Sequence, residues 1–331
     1  MDKKELLSKC EVITPVEEIH DDPVFKYVKR DDHFRPFQDL PLSGGKVRQA
    51  ILLVNNNIDL IKNELGNNIW TATSMSSPQG VIVSRVASEY GVNSKLFIGS
   101  GCSKESISKN NLMMNSYGCG SSINYDARQA FETVLQAQIK KVAEETGEKF
   151  FNVKFGINLD TSPEALVAST AMQVQNIPDQ LDNLVVPSGS CIILSGVVLG
   201  CLMFNKSVRN IIGVQISGYD RSSTVNHILE TFGLTDPELL YTMKVSKDYP
   251  YSRHLNRYTI GAENIRLDPL YESKGYDYCL KHMPEIHGQN NLFWIVGDST
   301  DIRNLKPKEE DVERFLYENR NHKKLYGGVD R

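Results

Sequence analysis

Three observations in the sequence point to an α/β protein built on parallel sheets. Short apolar runs bounded by turn residues alternate with longer amphipathic runs over most of the chain. Several of the short runs end in glycine- or serine-rich loops that open into helical patterns, as strands do at their carboxyl ends. The composition is that of an ordinary globular protein: 331 residues, 40% hydrophobic and 24% charged, enough for one large or two closely packed domains. No run approaches the roughly 18 apolar residues of a membrane span, and Met1-Asp2-Lys3-Lys4-Glu5 has no signal-peptide core. The six cysteines show no CxxC pair, which favours free thiols in a reducing cytoplasm over a structural zinc site. A net charge of −4 gives no general nucleic-acid footprint and leaves a local basic patch open.

The elements follow in order. Residues 1–24 read as a short helix and an extended piece, and Phe25–Lys29 alternates as a strand, closed by Lys29-Arg30-Asp31-Asp32. An irregular loop leads to Ser43-Gly44-Gly45-Lys46, and a helix is expected over 47–65, weakened by Asn55-Asn56-Asn57. Strands are then expected at 68–73, 95–98, 123–125 and 150–155. The helices between them fall at 79–90, 103–116 and 128–145. Ser162-Pro163-Glu164 opens a helix to Val174. Further strands read at 184–186, 210–216, 239–245 and 292–296, and helices at 192–204, 224–232, 268–282 and 308–317.

Four loops carry residue types suited to chemistry. Lys46 follows two glycines at a helix start, where an ammonium can be desolvated and held near one point, as a Schiff-base lysine requires. The plainer reading is a glycine turn with a solvated lysine. Ser74-Met75-Ser76-Ser77-Pro78-Gln79-Gly80 lies between a strand and a helix and could hold a carboxylate, or serve only as a cap. Val186-Pro187-Ser188-Gly189-Ser190-Cys191 ends a buried strand before an apolar helix, an arrangement suited to a phosphate monoester. Asp268-Pro269 starts a helix with Tyr271 and Glu272 in its first turn.

Lys29-Arg30-Asp31-Asp32 followed by Gly44-Gly45-Lys46-Val47-Arg48 resembles the KRDD…GGNKxR signature of pyridoxal-phosphate enzymes of the tryptophan synthase β-like fold, fold type II. Asp268-Pro269-Leu270-Tyr271-Glu272-Ser273-Lys274 is similar to the DPVYEGK of the 1-aminocyclopropane-1-carboxylate deaminase and D-cysteine desulfhydrase family. The resemblance implies two mostly parallel three-layer α/β/α domains, residues 1–50 with 166–331 and residues 51–165, with the cofactor cleft between them. It implies pyridoxal 5′-phosphate as cofactor and a homodimer acting on a small amino-acid-type substrate. By resemblance, Lys46 forms the Schiff base and shuttles the proton, and Ser188, Gly189, Ser190 and Cys191 hold the phosphate. Ser76, Ser77 and Gln79 stand where the substrate carboxylate and the cofactor hydroxyl are contacted. Glu272 faces the pyridine nitrogen and keeps it protonated, a strong electron sink, with Tyr271 beside it and Gly297-Asp298-Ser299 near the ring.

Three positions depart from the family pattern. Gly45 replaces the asparagine before the lysine, Ser77-Pro78-Gln79 replaces S-N-H, and Val296-Gly297-Asp298-Ser299 replaces HTGG. Lysine, phosphate loop and glutamate survive while the substrate side changes. The expected activity is therefore a lyase reaction at Cα or Cβ, deamination or β-elimination. An alternative is α-decarboxylation of a larger conjugate, such as a serine-modified nucleobase in phage DNA hypermodification. A non-catalytic binding module on the same fold is the third reading. Gly99-Ser100-Gly101 imitates a dinucleotide loop without its third glycine. The stretch with Tyr249, Tyr251, Arg253, His254, Arg257 and Tyr258 is a candidate substrate lid or a solvated loop, and Lys323-Lys324 a solvated charge run.

Overall fold

The computed structural model describes residues 3–99, 102–157, 164–216, 219–250, 253–282, 286 and 288–320. Ser100, Gly101, Ser162, Pro163, Tyr251 and Lys323-Lys324, named above, lie outside the described residues. The chain divides into two compact units, 6–49 with 160–300, and 1–5 with 50–159 and 301–331.

The larger unit is built on a six-stranded sheet in the order Val16–Glu18, Tyr27–Arg30, Asn291–Ile295, Gln180–Ser188, Ser207–Gln215, Thr242–Val245. Only the first pair is antiparallel; every other neighbour runs parallel. The strand Asn291–Ile295 is buried at every position because it lies between two parallel neighbours, with Phe293 opposite both Val28 and Val185. Its apolar run without alternation is the sequence signature of that placement. The carboxyl ends of three adjacent strands, at Arg30, Ser188 and Ile295, therefore meet on one edge.

Helices Glu164–Gln173 and Ile192–Met203 pack closely because glycines line the contact. A Cβ at Gly196 would lie 2.5 Å from the Thr170 Cβ, and one at Gly200 2.5 Å from the Ala171 carbonyl oxygen. Gly200→Leu is expected to overpack this contact and destabilise the protein by about 3 kcal/mol, read as a lower urea midpoint. An unchanged midpoint would show that the two helices can separate without cost.

The smaller unit has a four-stranded, fully parallel sheet in the order Ser122–Asn124, Asn93–Phe97, Asn68–Ala72, Phe151–Val153. Trp70 stacks on Phe150 at 4.2 Å, and the Lys95 ammonium lies over its ring. Asparagines stand at the breaks in two of the expected helices. The helix expected over 47–65 breaks at Asn57 into Gly45–Asn56 and Ile58–Asn63. The one expected over 103–116 becomes Lys104–Ser108 and Asn111–Gly118, with the Asn110 side chain accepting from the Met113 amide. A two-stranded hairpin, Thr259–Ile260 with Ile265–Arg266, was not legible because its strands are too short for a period.

The last described helix, Glu309–Glu318, groups with the smaller unit and not with the larger one as the sequence suggested. Phe315 is buried against the Tyr117 ring, and the Tyr117 hydroxyl donates to Glu318. A charged helix gives no sign of its partner until that one apolar contact is seen.

Candidate active site

The Lys46 turn is shaped by its neighbour across the sheet edge. Gly44 has φ +92°, and a Cβ there would lie 2.2 Å from the Val296 carbonyl oxygen, so only glycine fits. Gly44 N–H donates to the Phe34 carbonyl and Gly45 N–H to that of Val296, pinning the turn between two loops. Lys46 is then the second residue of the helix Gly45–Asn56, and its Nζ lies 5.4 Å from the centroid of the Tyr271 ring. The place of the family's asparagine is already filled: a Cβ on Gly45 would meet Asp31 Oδ2 at 3.0 Å and Ile193 Cδ1 at 3.2 Å.

Below the turn lies a buried ionic network that the charged run 29–32 did not announce. Arg48 is fully buried, donates to Asp31 Oδ1 at 3.0 Å and stacks on Phe34. Lys29, also fully buried, donates to the Thr14 carbonyl and to Asn176, and burial pulls its pKa down to about 7. Arg30 pairs with Asp32 and Glu17. Four consecutive charges that close a strand also include Asp31, the partner of Arg48 on the lysine helix.

Asp268 organises the segment that follows it. Its Oδ1 accepts from the Leu270 and Tyr271 amides, and its Oδ2 from the amide and hydroxyl of Ser299. This fixes Tyr271 and places Glu272 at the start of the helix Glu272–Lys281. Glu272 is fully buried; its Oε1 accepts from the Val296 and Gly297 amides, while Oε2 is buried with no hydrogen-bond partner among the described residues. Burial, and next the Asp268 charge, push its pKa well above the usual carboxylate range, against the pull of the amides. Asp298 donates its amide to Ser43 Oγ and accepts from that hydroxyl on its carbonyl, and its carboxylate pairs with Arg257 at 2.7 Å.

The Ser188–Cys191 loop leaves the neighbouring strand of the same sheet. Gln215 Nε2 donates to the carbonyls of Ser188 and Gly189. In trans peptides this turns the amides of Gly189 and Ser190 the opposite way, as a pair of aligned donors. Cys191 then takes φ +68° as N-cap of the helix Ile192–Met203. Two expectations change here. The Ser188 hydroxyl is spent on the Val186 carbonyl, and the buried Cys191 thiol faces Gln215 with its pKa pushed up to about 12. The loop thus offers backbone amides more than those side chains. Gln215, which sets their direction, is the last residue of the strand Ser207–Gln215 and gave no sequence signal.

The family model described as "Pyridoxal-phosphate dependent enzyme" matches residues 14–242. The chain belongs to this family. Its cofactor is pyridoxal phosphate. The O-seryl-dTMP PLP-dependent decarboxylase of Salmonella phage ViI is 24% identical, over 85% of this chain and 80% of that protein. Among solved structures, an ACC deaminase homologue superposes with a TM-score of 0.62 at 19% identity, covering 94% of this chain and 99% of that one. O-acetyl serine sulfhydrylase isoform 3 from Entamoeba histolytica gives 0.60 at 13% identity, covering 94% and 95%. The parallel α/β architecture is that of these fold type II enzymes.

The residues of this pyridoxal-phosphate enzyme fit its cofactor on two counts. The unpartnered buried oxygen of Glu272 requires a hydrogen-bond partner, and a pyridine nitrogen suits it because the two can share one proton. The paired amides before an apolar helix suit a phosphate monoester. The expected residues of the smaller unit have a different placement. The Gln79 side chain is consumed internally: Nε2 donates to Thr71, Ala72 and Lys154, and Oε1 accepts from the Gly156 amide. It ties two strand ends together, which corrects its expected contact with cofactor or substrate. Ser77 Oγ accepts from the Gln79 amide, and Ser76 lines a cleft of about 250 Å³ with Met75, Asn110 and Arg303.

Proposed function

We propose that this enzyme removes the α-carboxylate, as carbon dioxide, from an amino acid carried on a larger group, an O-seryl nucleotide being the model substrate. The loop Ser74–Gln79 carries this reading. Pro78 has no N–H, the Ser77 and Gln79 backbone amides donate to the Ser74 carbonyl and to Ser77 Oγ, and the Ser74 and Ser76 hydroxyls bond each other, so several donors of the segment that would hold a substrate carboxylate are already engaged. A carboxylate held weakly in the ground state leaves more readily. The likeness to the O-seryl-dTMP decarboxylase supports the same bond.

Pyridoxal phosphate, when bound, supplies an electron sink for the pair left when a bond at Cα breaks. Glu272 holds the proton at the ring nitrogen through its otherwise unpartnered Oε2. The amides of Gly189 and Ser190 bind the phosphate, and Gly297 to Ser299 border the ring. Lys46, whose Nζ lies 5.4 Å from the centroid of the Tyr271 ring, would hold the cofactor and would deliver the proton that takes the place of the carboxylate at Cα. The Cα–carboxylate bond breaks, carbon dioxide leaves, and the proton replaces it.

Deamination or β-elimination stays as a second reading, favoured by Tyr271-Glu272 in the deaminase-like segment. Incubating holoenzyme with O-seryl-dTMP and with free amino acids separates the two. Carbon dioxide and the matching amine, without ammonia, are expected from the conjugate. Ammonia and a keto acid from free amino acids, with no carbon dioxide, would replace our reading with the second.

A further inference from the structure

Within the larger unit, the stretch expected to be a lid is tied down. Tyr249 and Tyr258 both donate to Asp277, and Lys274 donates to the Pro250 carbonyl. Leu255 N–H donates to the Pro269 carbonyl, Tyr258 N–H to Ser273 Oγ, and Leu267 N–H to the Tyr258 carbonyl. Residues 255–258 therefore run alongside the segment that bears Tyr271 and Glu272.

From the middle of this stretch Arg257 reaches across to Asp298 in the loop whose Gly297 amide holds Glu272. The arginine thus bridges the two segments that frame the ring-facing carboxyl. Its Nη2 is paired, while its Nε is buried with no hydrogen-bond partner among the described residues. A half-buried guanidinium fixed at one nitrogen has little left to lose in rotamer freedom and can meet an anion with its planar fork. Asp268 is already spent on four donors and the Glu272 Oε1 on two backbone amides, so neither pairs with it. Residues 253–258 add Arg253 and no carboxylate.

We infer that Arg257, held by Asp298, anchors a phosphate group of the substrate. This rests on the decarboxylase reading above. Of the two anionic groups on an O-seryl nucleotide, the carboxylate must leave, and an arginine on it would stabilise the ground state. The phosphate does not react, so binding energy there anchors the substrate without holding the leaving group.

The test is calorimetric titration of holoenzyme with dTMP, thymidine and L-serine, in wild type, Arg257→Ala and Arg257→Lys. Wild type is expected to bind dTMP at least tenfold more tightly than thymidine, with an advantage that shrinks as salt rises. Arg257→Ala should bring dTMP to the thymidine level, Arg257→Lys should retain part of the advantage, and L-serine binding should not change. Equal wild-type affinity for dTMP and thymidine would overturn the inference. So would an Arg257→Ala loss shared by thymidine, which marks a structural role, or one confined to L-serine, which marks a carboxylate anchor. The wild-type comparison and its salt dependence decide the matter even if Arg257→Ala fails to fold. The two readings fail separately. Phosphate anchoring without carbon dioxide release sinks the decarboxylase, and carbon dioxide release with equal KM in wild type and Arg257→Ala sinks the anchor.

Discussion

Lys46→Ala is expected to abolish product formation and to change the visible absorbance of the bound cofactor while leaving the fold intact. Lys46 is only partly buried and sits on the first turn of its helix, so removing its side chain leaves no large cavity. The anchoring of that turn runs through Gly44, Gly45 and Arg48, none of which the substitution touches. Turnover loses both the amine that carries the cofactor and the proton donor for Cα. The donor contribution alone is about 10²–10⁴-fold. Circular dichroism should match wild type. Residual turnover within tenfold of wild type would remove Lys46 from the chemistry and return the turn to a structural role.

Glu272→Gln is expected to lower turnover by roughly 10²–10³-fold, because a neutral amide cannot compensate a protonated ring nitrogen as a carboxylate can. Its effect on the ligand-free protein has a separate signature. The folded carboxyl has a pKa raised well above the ordinary 4.5, so between those values the native state holds a proton that the unfolded state has released. The stability that this provides is fully present below about pH 4.5 and is lost as pH rises toward the folded value, at about 1.4 kcal/mol per pH unit for one proton. Glu272→Gln should flatten that decline in urea titrations of cofactor-free protein at a series of pH values. Identical slopes in the two proteins would mean that Glu272 is ionised in the ligand-free fold. Added cofactor should restore stability at high pH in the wild type, since the ring nitrogen then shares the proton.

Much of the site was readable in one dimension because local chemistry enforces it. Gly44 is required by a positive φ and a backbone contact, and Asp268 by the amides it accepts, so the motifs containing Lys46 and Glu272 stand out as motifs. Gln79 was misread for the opposite reason. A loop glutamine can turn toward a ligand or toward its own strand ends, and only the carbonyl of Lys154 and the amide of Gly156, distant in sequence, settle which. Gln215 was silent, and the partner of Arg48 went unnamed, because a polar residue beside an apolar run announces burial without naming its partner.

The alternation of apolar and amphipathic runs already determined a parallel α/β protein, and the motif loops already marked Lys46, the Ser188–Cys191 turn and Glu272 as residues at strand ends and helix starts. Those features depend on backbone conformation and on neighbours a few residues away, which a sequence states directly. The direction of the Gly189 and Ser190 amides, the burial that raises the pKa of Glu272, the assignment of the last helix and the pairing of Arg257 with Asp298 depend on residues brought together across tens to hundreds of positions. Burial and charge are properties of that assembled surrounding, so they exist only once the chain has folded.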